Sequence, residues 1–268
     1  MTRRLLPTAA VAAVLAFAGA GSAAAPPVTQ QPGVLTVGLA MPSEGFQVGV
    51  VKGSQVIYAQ GFEIDLAKAL TARLGLTSTV FVQNRFDRLY SAGAKPFDLA
   101  IGQISITPAR TRAVDFSKPY MDADQGVLAA QTVSPVPSTI AGLKSLKICA
   151  LAKSTGADAA TDRIAPVKPV LLVGNVQTLM LDLQTGRCQA VVYDAPTLGT
   201  LKKRAPDRYG PFVGVLDTGE HYGIAIPKGG SLVKPVDTAI VSLIADGTID
   251  RLARRWLTVD PTDLRVLR

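Results

Sequence analysis

Segments with a strand pattern and segments with a helix pattern alternate along this chain in two series. The first series has a strand at Val34–Leu39, a helical pattern at Gly61–Gly75, a strand at Phe97–Ile104 and a helix that begins at Pro108. The second series has strands at 127–130, 146–151 and 189–193, and two helical patterns follow at 232–246 and 249–257. Short apolar strands that alternate with helices favour a parallel or mixed sheet covered by helices. The predicted fold class is therefore α/β.

Residues 1–24 have the three parts of a secretory signal peptide. Two arginines form a short positive region, residues 5–20 are nearly all apolar, and small residues follow. This pattern predicts export and cleavage after Ala24. An apolar stretch of about 16 residues is short for a membrane anchor. No cysteine precedes Cys149, which excludes lipid attachment at the cleavage site, so we expect a periplasmic or secreted protein.

The mature chain has a length and charge that suit a two-lobed soluble protein. Removing 24 of the 268 residues leaves 244, enough for two lobes of about 110 to 130 residues each. The formal net charge falls from +8 to +6 because Arg3 and Arg4 are lost. The basic residues are scattered and only 6% of the residues are aromatic, so we expect no nucleic-acid partner. Residues 25–33 are rich in Pro and Gln and predict a disordered lead-in.

The chain has two cysteines, Cys149 and Cys188. Both lie at the starts of strands that are predicted to be neighbours in the second series. Because an exported protein folds in an oxidising compartment, we expect them to form a disulfide.

The stretch from Asp98 to Pro119 carries the clearest indication of a binding site. A strand delivers Ser105 to its carboxyl end, Thr107 is a good N-cap residue, and Pro108 is favoured at the first helical position. Arg110 follows in the first turn, where the helix dipole favours an anion rather than a cation. An arginine at this position makes sense if a carboxylate binds between its guanidinium and the free N–H groups of the helix.

The second series repeats this arrangement. The strand at 146–151 is followed by Lys153-Ser154-Thr155-Gly156 and then by a helical pattern. The exposed N–H groups at Ser154 and Thr155 therefore predict a second anion site. Ligands of open α/β sheets bind at the carboxyl ends of the strands, so the two sites could close on one carboxylate.

Asp194 follows the strand at 189–193 and offers a carboxylate at a third strand end. It can bind an α-ammonium group, with help from the Ser105 hydroxyl and the Gln103 carbonyl. The alternative role of Asp194 is to cap the helix that begins at Ala195.

Several motifs follow one another in a fixed order. They are GFEIDLAKAL (61–70), SITPAR (105–110), VDFSKPY (114–120), YGIAIPKG (222–229), GTID (247–250) and RRWL (254–257). Together they resemble the motifs of the type 3 (polar amino acid) solute-binding proteins of ABC importers. The resemblance spans nearly the whole mature chain.

This resemblance implies a two-lobe periplasmic binding protein fold of type II, with the ligand in the cleft between the lobes. Residues 34–119 and 223–268 would form the first lobe, and residues 125–217 the second. Residues 120–124 and 218–222 would be the hinge crossings.

The resemblance also implies a function and a set of contacts. By position, Arg110 and the amides of Ser105 and Thr155 would hold the α-carboxylate of a free amino acid. Ser105, Asp194 and the Gln103 carbonyl would hold its α-ammonium group. The protein would be a monomer without a cofactor that closes by hinge rotation and delivers its ligand to the permease subunits of an ABC importer.

The segment VQNRFDRL suggests the identity of the ligand, because it resembles the segment that carries an arginine in the acidic-amino-acid branch. On that basis Arg85 would bind a side-chain carboxylate, and the ligand would be glutamate or aspartate. Lys153 is a departure from the family, since this position is often glycine there.

Other interpretations of single residues stay open at this point. Arg110 could form a surface ion pair with Asp115, and Arg85 could be a solvated charge. Glu63 and Asp65 are two residues apart and leave a helix in divergent directions, so they do not form a catalytic pair.

Two alternative functions also stay open. A dehydratase on the same fold would need a pocket acid or base with a shifted pKa. The sequence has one histidine, His221, no Ser-His-Asp order and no cluster of metal ligands, so we expect neither an enzyme nor a metal site. The other alternative is a sensor or adhesin that uses the same pocket.

Overall fold

The computed structural model describes residues 26–257 and 265–268. Each of two lobes is built on its own mixed sheet, and a cavity lies between them. The α/β fold class and the two-lobe architecture predicted from the sequence are confirmed. The predicted signal peptide, residues 1–24, lies outside the described residues.

The chain builds most of the first lobe before it crosses to the second. The elements of this part are β1 (Val34–Leu39), β2 (Val48–Lys52), β3 (Gln55–Gln60), α1 (Phe62–Arg73), β4 (Ser78–Gln83), α2 (Phe86–Leu89), β5 (Leu99–Ala100), α3 (Pro108–Thr111) and β6 (Val114–Phe116).

The second lobe lies between two crossings, and the chain then returns to complete the first. The elements that follow are β7 (Met121–Asp122), β8 (Gln125–Ala129), α4 (Ile140–Leu143), β9 (Ile148–Leu151), α5 (Thr155–Ala159) with a π-helical extension (Ala160–Ile164), β10 (Leu171–Val173), α6 (Val176–Gln184), β11 (Ala190–Asp194), α7 (Ala195–Arg204), β12 (Phe212–Leu216), β13 (His221–Tyr222), β14 (Ala225–Pro227), α8 (Val233–Ala245) and α9 (Thr248–Trp256).

The sheet of the first lobe has the strand order β2-β3-β4-β1-β5-β14-β6, with β1 parallel to both of its neighbours. Leu35, Val37 and Leu39 on β1 are fully buried in the same core as Leu66 and Leu70 of α1. Full burial of one such side chain contributes about 1.5 to 3 kcal/mol. The apolar residues that recur at helical spacing in this segment thus form the face of α1 that covers the sheet.

Gly61 begins the α1 segment for a steric reason. Its φ of 128° lies in a region that side chains rarely adopt. A Cβ atom at this position would lie 2.2 Å from the Phe46 carbonyl oxygen. Only glycine lets the chain turn into the helix so close to the backbone of residue 46.

The sheet of the second lobe has the order β10-β9-β11-β8-β12. Cys149 on β9 and Cys188, just before β11, form a disulfide with their Cα atoms 5.8 Å apart. Both residues are fully buried, and β9 and β11 are parallel neighbours. The predicted disulfide is confirmed.

The two crossings between the lobes pair with each other. His221 and Tyr222 on β13 lie opposite Asp122 and Met121 on β7 in a two-stranded antiparallel ribbon. The chain therefore passes between the lobes through two hydrogen-bonded strands, the kind of narrow connection about which lobes can rotate.

The structure corrects two predictions about the ends of the chain. Within the predicted disordered lead-in, Gln30 is fixed to the first lobe, because its N–H donates to Asp98 (2.7 Å) and its amide donates to the Phe97 carbonyl (2.7 Å). Residues 265–268 lie on the second lobe, whereas the predicted bounds place them in the first. Val266 pairs with Val215 of β12, so these last residues extend the sheet of the second lobe.

Within residues 26–257 and 265–268, the structure contains no helix with the length and apolar character needed to cross a bilayer.

Candidate functional site

Arg110 lies on α3, a single helical turn that begins as the sequence predicts. The Thr107 hydroxyl accepts a hydrogen bond from the Arg110 N–H (3.2 Å), and Pro108 occupies the first turn. Arg110 is only 7% exposed. Its Nη1 donates to the Ser105 carbonyl (3.0 Å), and its guanidinium carbon lies 4.4 Å from the centre of the Tyr90 ring. These contacts orient the guanidinium without neutralising its charge.

The alternative ion pair between Arg110 and Asp115 is not formed. The Asp115 carboxylate instead accepts hydrogen bonds from Lys228 Nζ (2.6 Å) and from the Gly229 N–H (2.7 Å). Among the described residues, none of the ion pairs involves Arg110. Arg110 is thus a buried cation without a salt bridge among the described residues, whereas buried charged side chains are usually paired.

The start of α5 faces Ser105 from the second lobe. The Ser154 hydroxyl donates to the Leu151 carbonyl (2.7 Å) and accepts from the Ala157 N–H (3.2 Å), so it caps the helix. Thr155 follows at the first helical position, and its Oγ1 lies 3.4 Å from Ser105 Oγ. The N–H of Thr155 belongs to the first turn, whose N–H groups have no partner inside the helix.

Asp194 precedes α7, but its side chain does not cap the helix. Its carboxylate accepts hydrogen bonds from Gln125 Nε2 (2.9 Å) and from the Tyr222 hydroxyl (2.6 Å). Gln125 Nε2 also lies 3.3 Å from Thr155 Oγ1. Burial raises the pKa of Asp194 to about 6, although both hydrogen bonds and the charge of Arg110 favour the ionised form. The capping alternative is wrong, and Asp194 is a buried carboxylate on the cleft side of the lobe.

Gln103 has a left-handed backbone with φ of 54°, which is uncommon for a residue other than glycine. The strand β5 has already ended at Ala100, so it is shorter than the predicted one at 97–104. The Gln103 N–H donates to Glu63 Oε1 (2.7 Å), and its Oε1 accepts from the Thr197 hydroxyl of the second lobe (2.6 Å). The role predicted for the Gln103 carbonyl, acceptance of an ammonium group, stays a prediction.

Glu63 holds this turn from inside the first lobe. The Tyr120 hydroxyl and Gln47 Nε2 also donate to its carboxylate. Burial raises the pKa of Glu63 to about 7, although all three donors favour the ionised form. Asp65 lies on another face of α1 and accepts from Trp256 Nε1 (2.8 Å). The two carboxylates point apart, as their spacing predicts.

Four predicted ligand-binding residues are thus brought together by both lobes. We call them the inner site, which consists of Ser105, Arg110, Thr155 and Asp194. Gln125 and Tyr222 contact this site, but sequence reasoning did not identify them. Their only signal is that Tyr222 lies within one predicted crossing and Gln125 directly follows the other.

A cavity of about 320 Å³ lies between the lobes and is lined in part by Gln103. This volume is at the lower end of small-molecule sites. Its neutral polar lining residues are Ser43, Gln83, Asn84, Gln103, Asn175, Gln177 and Tyr193. Contacts between the lobes surround it, since the Tyr90 hydroxyl donates to the Lys153 carbonyl (3.2 Å) and Arg204 pairs with Glu44. The lobes are therefore in a closed arrangement.

Three charged residues line the same cavity and pair with one another. We call Arg85, Asp87 and Lys153 the outer ion cluster. Asp87 accepts from Lys153 Nζ of the second lobe (2.9 Å) and from Arg85 Nε and Nη2 (both 3.2 Å). The hydrogen bond from Lys153 lowers the pKa of Asp87. The side chains of Arg85 and Lys153 are 78% and 66% exposed.

Two roles were predicted for Arg85, a contact with a ligand carboxylate and a solvated charge. Arg85 lines the cavity, but its side chain is largely exposed and is paired with Asp87, two residues further along the chain. Asp87 accepts from Nε and Nη2 of the guanidinium. The contact with a ligand carboxylate stays a prediction.

Two other groups with potential chemistry are already engaged. Cys149, Asp182 and Cys188 are close enough to hold a metal ion, but both sulfur atoms belong to the disulfide. His221 is exposed and its Nδ1 lies 2.7 Å from Asp122 Oδ1 on the neighbouring crossing strand.

This chain belongs to the bacterial extracellular solute-binding proteins of family 3, whose model matches residues 35–259. It is 30% identical to the ABC transporter arginine-binding protein 1 of Escherichia coli over 73% of this chain and 81% of that protein. It is 30% identical to the histidine-binding periplasmic protein of Salmonella typhimurium over 75% and 80% of the two chains. The L-cystine-binding protein TcyJ of Escherichia coli is 27% identical over 75% and 76%.

Solved structures give the same result. A mutant of the arginine-binding protein from T. maritima superposes with a TM-score of 0.71 at 29% identity, over 84% of this chain and 95% of that chain. The ancestral amino acid-binding protein AncCDT-1, a precursor of cyclohexadienyl dehydratase, has a TM-score of 0.71 at 28% identity, over 84% and 96%. The predicted family is confirmed. Its glutamate and aspartate branch is not supported, because these relatives are named for arginine, histidine and cystine.

Proposed function

We propose that this protein is the extracytoplasmic substrate-binding protein of an ABC importer and that it binds one free α-amino acid between its lobes. The observation that carries the proposal is the inner site. A buried arginine without a salt bridge among the described residues contacts Ser105, which faces the start of a helix in the other lobe, and a buried carboxylate lies nearby. These are complementary to the two charges that every free amino acid carries.

Each α-group has a matching set of residues in the inner site, supplemented by Gln103. The α-carboxylate binds Arg110 and the N–H groups of Ser105 and Thr155, since a guanidinium and backbone amides are strong donors to a carboxylate. The α-ammonium group binds Asp194, the Ser105 hydroxyl and the Gln103 carbonyl. Because the donors come from both lobes, the ligand stabilises the closed state by contacts that an open cleft cannot provide.

The cavity indicates an amino acid whose side chain carries no net charge. Its only carboxylate, Asp87, is already paired with Arg85 and Lys153, so a cationic side chain would lose hydration without finding a free partner. The remaining polar lining groups are amides and hydroxyls. We therefore favour ligands of the histidine, cystine or glutamine kind. The names of the histidine-binding and cystine-binding relatives agree with this class.

Delivery to a permease and an extracytoplasmic location follow from the family. The predicted signal peptide, residues 1–24, and the disulfide both suit an exported protein. We propose that the protein acts as a monomer that rotates about the paired crossings β7 and β13.

A dehydratase is the competing function, because one structural relative is a precursor of such an enzyme. Asp194 has the raised pKa that a pocket acid needs. Both of its oxygens, however, already accept hydrogen bonds from Gln125 and Tyr222, which suits a fixed acceptor for an ammonium group. Binding without chemistry is therefore the function proposed.

The experiment is a thermal-shift screen of the mature protein against the twenty amino acids and cystine. A ligand at 100 times its dissociation constant raises the free energy of unfolding by about 2.7 kcal/mol, which is a readily measured shift of Tm. We expect at least one amino acid with an uncharged side chain to give this shift and to be recovered unchanged. A screen without any shift contradicts the proposal, and conversion of the ligand supports the dehydratase.

A further inference from the structure

Lys153 adopts an unusual backbone conformation at the edge of the cavity. Its φ of 63° places it in the left-handed region, which costs free energy for every residue except glycine. The conformation directs its carbonyl to the Tyr90 hydroxyl (3.2 Å) and its side chain to Asp87 (2.9 Å), both in the other lobe. Strain of this kind is retained where it positions groups for binding.

The position of Lys153 determines the charge that a ligand side chain meets. Asp87 is the only acidic residue among those that line the 320 Å³ cavity, and Arg85 and Lys153 are the only basic ones. Both basic residues donate to the Asp87 carboxylate. The cavity therefore has one surplus positive charge, and its single carboxylate is occupied.

This arrangement is unfavourable for a cationic side chain in particular. A guanidinium or ammonium group that leaves water needs a carboxylate to replace its hydration. Among the lining residues the only candidate is Asp87, which already accepts hydrogen bonds from two cations. An arginine or lysine ligand would have to displace Lys153 and would meet Arg85 as well.

We propose that Lys153 is a specificity-determining residue that makes this site reject amino acids with a cationic side chain, because it occupies Asp87. The inference rests on the proposed function and deepens it by setting the charge of the ligand. Such selectivity would distinguish this chain from the relatives that are named for arginine. The contacts of the inner site with the α-groups would be unchanged.

The test is a gain of function in the variant Lys153→Gly. Glycine adopts the left-handed backbone without strain. This variant therefore removes the side chain while the backbone conformation at position 153 is retained. Calorimetry measures the affinities for arginine and for glutamine, a neutral ligand of similar length. We expect the ratio of arginine to glutamine affinity to rise by about fivefold or more, since one unit charge a few ångströms from the ligand is removed.

Two control variants identify the cause of such a gain. Lys168→Gly makes the same substitution and the same change of net charge at an exposed loop position of the same lobe, away from the lining residues of the cavity. It should leave the ratio unchanged. The double variant with Asp87→Asn and Lys153→Gly also lacks the carboxylate that Lys153→Gly alone leaves available to a cationic ligand. It should therefore cancel the rise in the ratio of arginine to glutamine affinity.

The outcomes separate the inference from the proposed function. If no amino acid binds to the natural protein or to either lysine variant, the proposed function fails. If a neutral amino acid binds but Lys153→Gly shows no larger ratio than Lys168→Gly, the inference is overturned and the proposed function stands. A natural protein that binds arginine more tightly than any neutral amino acid also overturns the inference.

Discussion

The inner site and the outer ion cluster lie around the same cleft but have opposite physical characters. Arg110 of the inner site is 7% exposed, and Asp194 is 5% exposed and hydrogen-bonded by two buried partners. In the outer ion cluster, Arg85 and Lys153 are 78% and 66% exposed. Buried charges interact strongly with one another, whereas exposed charges are screened by water.

The difference in burial indicates different roles for the two groups of residues in the cleft. On the proposed function, the inner site binds the α-groups that all amino acids share and should supply most of the affinity. The outer ion cluster would meet the part of the ligand that varies and should change selectivity by smaller amounts. The following variants and conditions test this division, beginning with the largest expected effect.

Arg110→Ala should remove most of the affinity while the fold is retained. Loss of one partner from a buried charged contact costs about 2 to 5 kcal/mol, which corresponds to roughly 30-fold to several-thousand-fold in affinity. Arg112→Ala is the matched control, because this neighbouring arginine is exposed and donates to the Pro108 carbonyl. Calorimetry that gives both variants the same affinity would contradict the assignment of Arg110.

The ligand-free protein should lose stability as the pH rises from about 4 to about 7. Burial raises the pKa of Glu63 to about 7 and that of Asp194 to about 6, so the folded state binds protons more tightly than the unfolded chain in this range. The favourable contribution is complete below the unfolded pKa values and is lost as these groups ionise in the folded state.

We expect a loss of roughly 5 kcal/mol over this range, since burial raises the pKa of each of the two groups by more than two units and one pKa unit corresponds to about 1.4 kcal/mol. Urea unfolding at several pH values measures it. Glu63→Gln should flatten the upper part of the curve, because the group that titrates near neutrality is then absent. If the free energy of unfolding of the natural protein rose throughout this range, the assignment of raised pKa values to the buried Glu63 and Asp194 would be contradicted.

Ligand affinity should change with pH in the opposite sense. An ionised Asp194 attracts the α-ammonium group and a protonated one does not, so affinity should fall by about tenfold for each pH unit below about 6. Asp194→Asn should bind more weakly at neutral pH and lose most of this dependence. If the affinity of the variant changed with pH as steeply as that of the natural protein, the titrating group would be Glu63 or a group of the ligand instead of Asp194.

The smallest effect is expected at the ion pairs between the lobes that are exposed to solvent. Glu44 pairs with Arg204 across the cleft, and both side chains are more than one third exposed. Such a pair contributes about 0.2 to 1 kcal/mol, so Glu44→Gln should change affinity by less than about fivefold. A larger loss would mean that the outer contacts supply affinity and not only selectivity.

The parts of the molecule that sequence predicts well are those set by local chemistry. The strand at Val34–Leu39 follows from its apolar run, and the helix start at Thr107 and Pro108 follows from capping. Arg110 could be identified because it lies in the first turn of the helix that these residues begin. Asp194 could be identified because it lies at the carboxyl end of an apolar strand.

The rest depends on register between distant segments. Tyr222 reaches Asp194 because β13 pairs with β7, and Gln125 reaches it because β8 lies beside β11. Asp87 also accepts from Lys153 of the other lobe, and no local pattern shows this contact, although the pairing of Arg85 with Asp87 is local. The prediction of an acidic ligand depended on Arg85 alone, and the names of the relatives do not support it.

A crystal structure of the complex with the amino acid that gives the largest thermal shift tests the division of the cleft most directly. We predict that the α-carboxylate lies within hydrogen-bonding distance of Arg110 and the Thr155 N–H, that the α-ammonium group contacts Asp194, and that the side chain extends towards Lys153. A ligand whose carboxylate binds Arg85 or Lys153 and leaves Arg110 without a partner would contradict the account.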